Sequence, residues 1–351
     1  MKKKNWLSLL TTFCLVSGCS PSNKDEVKTN SKDVVSKNLN IPWQINSTPK
    51  QMWISERTGG LVLLGPKQKK TSYSPKFSEA IADDGEGGFL GFLLDPNYDS
   101  NKKAYGYYTY EKSNRLVNRI VEMRFENNEW KEIRILLDDI PGGYTHNGGR
   151  MEWGPDRKLY ITTGDSGEEE LSQNLNSLAG KILRMNNDGS VPEDNPFYPS
   201  PVYTYGHRNP QGMTWDDEGK MFAAEHGSSN YDEINKIDPG KNYGWPIIRG
   251  DEKKEGLESP WVHSGRETWA PSGIDYKNGY LFVAALRGES VIKVNTSSKK
   301  ITTIVSNKGR IRDILIEDNH MYVVTNNKDG RGQPSSDDDV LLKVSLKNVM
   351  E

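Results

Sequence analysis

The sequence predicts an all-β chain folded as a six-bladed β-propeller of four-stranded antiparallel blades. Three observations carry this. Residues that favour strands and tight turns are plentiful, with 33 Gly, 16 Tyr and 9 Trp, while Ala and Leu runs are scarce. Long helical periodicity is absent. A polar turn followed by a short apolar strand recurs six times, at intervals of roughly 40–60 residues, which is the length of one four-stranded blade. A two-sheet sandwich is the alternative, but it leaves this regular period unexplained.

The copies lie at Lys50–Ser55, Asn101–Tyr107, Asp156–Thr162, Glu218–Ala223, Asn278–Val283 and Asp318–Val323. In each, a turn of the Asp, Asn or Gly kind is expected to reverse the chain into an apolar strand. Closing such units into a ring sends the loops of successive blades toward one central channel. Residues distant in sequence are therefore expected to meet there.

Ahead of the repeats stands an expected export signal. Lys2, Lys3 and Lys4 precede an apolar run from Trp6 to Val16, too short to span a bilayer as a mature helix. Val16-Ser17-Gly18-Cys19 follows and resembles a bacterial lipobox, with Cys19 as the lipidated residue. Residues 1–18 are read as the signal peptide, 19–40 as a flexible polar tether and 41–351 as the propeller. This implies an exported lipoprotein held at the membrane by its lipid alone. The only cysteines are Cys14 and Cys19, so the mature domain has neither a disulfide nor a Cys metal ligand. The net charge is −2 with both signs well mixed, and no basic stripe suggests a nucleic-acid partner.

Four segments carry candidate chemistry. Tyr144-Thr145-His146-Asn147-Gly148-Gly149-Arg150 places a histidine before two glycines that allow close backbone approach. A neutral imidazole there can accept a proton from a hydroxyl, although a lone loop histidine is also common. Tyr205-Gly206-His207-Arg208-Asn209-Pro210-Gln211-Gly212 gathers cationic and amide donors suited to a planar carboxylate ligand, or simply forms a blade corner. Glu225 to Asn235, with Asn242-Tyr243-Gly244-Trp245-Pro246, clusters hard oxygen donors that suit Ca²⁺ or cap backbone amides; its spacing is not that of an EF-hand. Leu286-Arg287-Gly288 and Gly309-Arg310-Ile311-Arg312-Asp313 supply more cations. Strand alternation puts Arg310 and Arg312 on one face, where they repel unless an anion lies between them or Asp313 neutralises one.

Together these segments resemble the soluble quinoprotein sugar dehydrogenases, also called glucose/sorbosone dehydrogenases. The similarity runs from about Ile41 to Leu346 and includes Gly87-Gly88-Phe89-Leu90-Gly91-Phe92, Gly180-Lys181-Ile182-Leu183-Arg184, Asp188 to Pro192, Asp194-Asn195-Pro196, Ala270-Pro271-Ser272 and the segments above. The resemblance implies oxidation of the anomeric hydroxyl of an aldose to a lactone, with PQQ as acceptor and Ca²⁺ polarising the quinone. It makes His146 the base. Arg208, Asn209, Thr268, Arg287, Arg310 and Arg312 become cofactor contacts, as does Glu86, which stands where the family usually has Gln. Gly227 and Ser228 offer carbonyls to the catalytic Ca²⁺, and Glu233 and Tyr243 hold a separate structural Ca²⁺. Thr145 replaces an Asp before the histidine, which predicts a different orientation for the base. Glu86 is expected to face the channel near Arg208 or Arg310. The electron acceptor is not named by the resemblance. Two other functions fit a propeller: a calcium-dependent sugar lactonase, which needs acidic metal ligands in the channel, and a cofactor-free binder of a glycan or envelope partner.

Overall fold

The structure is a computed structural model that describes residues 33–350. The expected signal peptide, Cys14 and Cys19 lie outside the described residues. Six four-stranded antiparallel sheets make up the fold. β1 (Val34–Ser36) precedes blade one, which is β2 (Pro42–Thr48), β3 (Gln51–Glu56), β4 (Leu61–Leu64) and β5 (Lys70–Tyr73). Blade two is β6 (Phe89–Leu94), β7 (Lys103–Lys112), β8 (Arg115–Glu126) and β9 (Glu129–Pro141). Blade three is β10 (Met151–Trp153), β11 (Leu159–Thr163), β12 (Lys181–Met185) and β13 (Val202–Tyr205). Blade four is β14 (Pro210–Trp215), β15 (Met221–Glu225), β16 (Glu233–Ile237) and β17 (Val262–His263). Blade five is β18 (Pro271–Lys277), β19 (Tyr280–Ala285), β20 (Ser290–Asn295) and β21 (Ile301–Val305). Blade six is β22 (Ile311–Glu317), β23 (His320–Thr325) and β24 (Leu341–Ser345), completed by β1.

Each of the six sequence repeats is the turn into the second strand of a blade, namely β3, β7, β11, β15, β19 and β23. These strands are apolar on both faces because each blade packs against two neighbours. In β23, Met321 and Val323 join the core shared with blade five, while Val324 joins the core shared with blade one. In β15, Phe222 and Ala224 face blade five, and Met221 and Ala223 face blade three. The period-two alternation of a strand is thus converted into two interfaces. Each fully buried large side chain there stabilises the ring by about 1.5–3 kcal/mol.

The expected tether boundary at residue 40 moves. Val34 pairs with Leu342 and Ser36 with Leu341, so β1 is the outer strand of blade six. This closes the ring by pairing the first and last strands of the described residues through hydrogen bonds, and those residues include no cysteine.

Candidate active site

A cavity of about 490 Å³ opens at the end of the channel where the innermost strands begin. Glu86, His146, Arg208, Gly227, Ser228, Thr268, Arg287 and Arg310 line it, together with His226, Asp232 and Arg331. Segments spread over most of the chain therefore converge as the ring requires.

His146 sits just before β10 with φ of 59°, a left-handed conformation uncommon for a residue with a side chain. Its amide donates to Glu86 Oε2 at 3.0 Å. Gly164 makes room for this turn, since a Cβ there would collide with the His146 carbonyl. The ring Nδ1 lies 2.6 Å from Asp165 Oδ1. A carboxylate oxygen beside Nδ1 favours the tautomer of the neutral ring that carries its proton on Nδ1 and keeps the lone pair on Nε2. Asp165 is itself fixed, with Oδ1 accepting from the Gly167 amide at 2.8 Å and Oδ2 from Trp245 Nε1 at 2.8 Å. The sequence reading missed Asp165. It takes the orienting role that Thr145 cannot, from the end of the neighbouring strand β11.

The arginines differ in how they are paired. Arg310 is bound by Asp329, with Nη2 at 2.8 Å and Nε at 3.0 Å from Oδ2. Asp313, expected to neutralise Arg310 or Arg312, does neither. A bulge between Ile311 and Asp313 turns it to Arg150, 3.0 Å away, and to the Ile45 amide at 2.7 Å. Arg312 lies beneath the cavity lining and makes no ion pair among the described residues. Its Nη1 donates to Gln211 Oε1 at 2.7 Å and its Nε has no partner. Burial pulls its guanidinium down to about 9, although Asp329 acts in the opposite sense. Arg208 is also without an ion pair among the described residues; its guanidinium rests 5.3 Å over the Trp245 ring and its Nε has no partner there. Asn209 lies behind the cavity wall, accepts from the Gly148 amide at 3.1 Å and leaves its Nδ2 unpartnered.

Glu86 faces the cavity but pairs with neither Arg208 nor Arg310. Its Oε1 accepts from Arg331 Nη1 at 2.6 Å. Burial raises its carboxyl, but the His146 amide, His226 and Arg331 together outweigh this and hold it at about 2. Glu86 is therefore ionised at any ordinary pH. His226 was also missed as a cavity residue; burial drives its imidazole down to about 4, and its Nε2 has no partner.

The loop offering Gly227 and Ser228 is shaped by Asp232. Its Oδ1 accepts from the Gly227 amide at 2.8 Å; its Oδ2 accepts from Thr268 Oγ1 at 3.0 Å and the Trp269 amide at 2.6 Å. No group of three or more His, Cys, Asp or Glu is placed to hold a metal among the described residues, so a cation beside Gly227 and Ser228 would need oxygens from a bound ligand. Glu233 and Tyr243 instead line a small adjoining cavity of about 10 Å³. Burial and the nearby Glu225 push Glu233 up to about 8, and the neighbouring Asn235 Oδ1 is buried without a partner. The carboxyl groups of Glu225 and Glu233 both line this cavity, and such oxygens fit a hard cation. The Tyr243 hydroxyl is already engaged, donating to the Lys236 carbonyl at 2.9 Å, which leaves only its main-chain oxygen for such a role.

Fold and cavity define a β-propeller with a carboxylate-oriented histidine set among unsatisfied cationic and amide donors, the equipment of a site for an anionic, acceptor-rich ligand. A family model described as Glucose / Sorbosone dehydrogenase matches residues 39–342, and the chain belongs to this family. It is 35% identical over 258 residues to quinoprotein glucose dehydrogenase B of Acinetobacter calcoaceticus, covering 64% of this chain and 54% of that protein. The chain thus spans about half the length of that relative. It is 28% identical over 300 residues to an aldose sugar dehydrogenase of Escherichia coli, covering 75% of this chain and 78% of that one. The PQQ-bound aldose sugar dehydrogenase of Streptomyces coelicolor superposes with a TM-score of 0.84 at 36% identity, covering 89% of this chain and 96% of that one.

Proposed function

We propose that this protein is a PQQ- and Ca²⁺-dependent dehydrogenase that oxidises the anomeric hydroxyl of an aldose to the lactone. The observation that carries the reading is the His146–Asp165 pair facing a cavity in which the buried Nε donor of Arg208 and the ring Nε2 of His226 lack partners among the described residues. A tricarboxylate quinone supplies the missing acceptors and suits a site rich in guanidinium groups.

When bound, PQQ supplies the acceptor for the hydride leaving the anomeric carbon, and Ca²⁺ at the Gly227 and Ser228 carbonyls supplies Lewis-acid polarisation. The protein's part is positioning and proton transfer. His146 Nε2 takes the anomeric hydroxyl proton, and Asp165 stabilises the resulting imidazolium through Nδ1–H. Arg208 and Arg310, which line the cavity, would hold the anionic ligand, with Arg312 adding positive charge beneath them, and the Asp232-organised loop fixes Thr268 and Gly227. A lactonase fits less well, because its metal needs several acidic ligands and no group of three or more His, Cys, Asp or Glu is placed to hold one among the described residues. Incubating the apoprotein with PQQ and Ca²⁺ and following aldose-dependent dye reduction tests the reading; no reduction with any aldose counts against it. We further propose export and lipid anchoring at Cys19, in which case Cys19→Ala shifts the protein from the membrane to the soluble fraction.

A further inference from the structure

None of the sequence motifs contains Arg331. It lies in the loop between β23 and β24, two residues beyond the Asp329 that pairs with Arg310. The same aspartate holds the Arg331 backbone, since the Arg331 amide donates to Asp329 Oδ1 at 2.9 Å. The side chain then reaches from blade six to the loop before blade two and meets Glu86 at 2.6 Å, a contact between residues 245 apart in sequence. Glu86 is 17% exposed and Arg331 53% exposed, so the pair joins the cavity wall to its rim. The second Glu86 oxygen is taken by the His146 amide.

The loop carrying Arg331 is thus tied at both ends to the machinery of the site. One anchor is the carboxylate that holds Arg310, the other the carboxylate that holds the His146 turn. Only Nη1 is committed to Glu86. The Nε and Nη2 donors make no hydrogen bond among the described residues, and Arg331 lines the same cavity as Arg208 and Arg310. Neutralising Glu86 alone is a weak reason for such an arrangement, because an ion pair with a half-exposed arginine contributes little to stability. A guanidinium fixed at one corner keeps its planar fork for a second acceptor.

We propose that Arg331 is a further ligand-binding residue of this cavity, held by Glu86 so that its remaining donors engage the carboxylate-bearing ligand. Glu86 is then a positioning residue, serving Arg331 on one oxygen and the His146 turn on the other. This inference rests on the PQQ reading above.

The test is equilibrium titration of PQQ with Ca²⁺ into the apoprotein, for wild type, Arg331→Gln, Glu86→Gln and the double variant. A lost charge-assisted hydrogen bond predicts about tenfold to a hundredfold weaker binding by Arg331→Gln. The double variant is expected to stay as weak, because the donors of Arg331 are gone whatever stands at 86. If Arg331 only neutralises Glu86, the double variant instead regains wild-type affinity, and the proposal is overturned. Wild-type affinity in Arg331→Gln also overturns it. Arg331→Lys retains the charge without the fork and guards against a folding defect; it is expected to bind several-fold more weakly, with an unchanged melting temperature. A wild-type protein that takes up no PQQ overturns the functional reading itself, whatever the variants do.

Discussion

The two ends of the central channel both hold buried charge, and they dispose of it in opposite ways. Where the innermost strands finish, a cavity of about 460 Å³ is lined by Asn46, Glu152, Asp275 and Asp313. These groups mostly staple one blade to the next. Asn46 bridges to the Phe92 carbonyl at 2.6 Å and the Leu94 amide at 3.1 Å, while Asp275 accepts from the Ile316 amide at 2.6 Å. Asp313 joins blade six to the Ile45 amide and to Arg150. Where the innermost strands begin, arginines stand among the carboxylates of Glu86, Asp232 and Glu289, and Arg208, Arg312, Asn209 and His226 keep donors or ring nitrogens without partners among the described residues. A polar group saturated by its own fold serves stability; one left unsatisfied is a cost that a ligand removes. Between the two lies Trp43, with Arg150 at 4.4 Å and Arg312 at 5.9 Å from its ring. Arg150 is paired with Asp313, although its second terminal nitrogen keeps no partner, whereas Arg312 makes no ion pair at all among the described residues.

The comparison breaks most visibly at His146. His146→Ala is expected to lower turnover by about 10²–10⁴-fold, the usual size of general-base catalysis, while PQQ affinity measured by titration stays close to wild type. Asp165→Asn is expected to fall in the same direction, because an amide can hold the wrong tautomer.

At the saturated end, Asp313→Ala leaves Arg150 buried and unpaired. It is expected to cost about 3–5 kcal/mol in denaturant unfolding. Arg312→Met at the unsatisfied end should do the reverse, raising the melting temperature of the apoprotein while weakening PQQ uptake. A buried cation without an anion is a liability until the ligand arrives. If both variants destabilise the apoprotein equally, the distinction between the two ends fails.

Calcium gives a moderate effect. If the pocket beside Glu233 binds it, Ca²⁺ at a hundred times its dissociation constant stabilises the fold by about 2.7 kcal/mol, and chelation removes this. An unchanged melting curve in chelator counts against that site.

A further expected effect is a pH dependence. Burial pushes Glu152 from 4.5 up to about 8, against the pull of Arg150. Between those values the folded state binds the proton that the unfolded state has released, so this group's contribution to stability falls as pH rises through that window. Glu152→Gln should therefore gain in melting temperature relative to wild type from pH 5 to pH 8. Glu86 behaves oppositely. Held at about 2, it stays ionised down to pH 4, and acidification over that range should not tighten PQQ binding through this residue.

Much of the ring was legible because the second strand of every blade is buried on both faces and entered through a polar turn. β1 was not: Val34–Ser36 is three residues long and pairs with a strand some 300 residues away. In the site, His146, Arg208, Arg287 and Arg310 stand in recognisable motifs and meet in one cavity, which Thr268, named by the family resemblance, also lines. Asp165, Asp329 and Arg331 escaped because their meaning lies in contacts across strands and blades, in segments with no chemical signature of their own. Asp313 misled for the related reason that a single bulge reversed the partner its position in a strand implied.

The most direct test of the account is calorimetric titration of PQQ into the wild-type apoprotein with Ca²⁺ present, beside Arg312→Met. The account predicts saturable uptake of one PQQ per chain by the wild type, weakened at high salt as charge pairing requires, and a marked loss of affinity in Arg312→Met. No uptake by the wild type, or equal affinity in the variant, would contradict the assignment of the unsatisfied channel end to an anionic quinone.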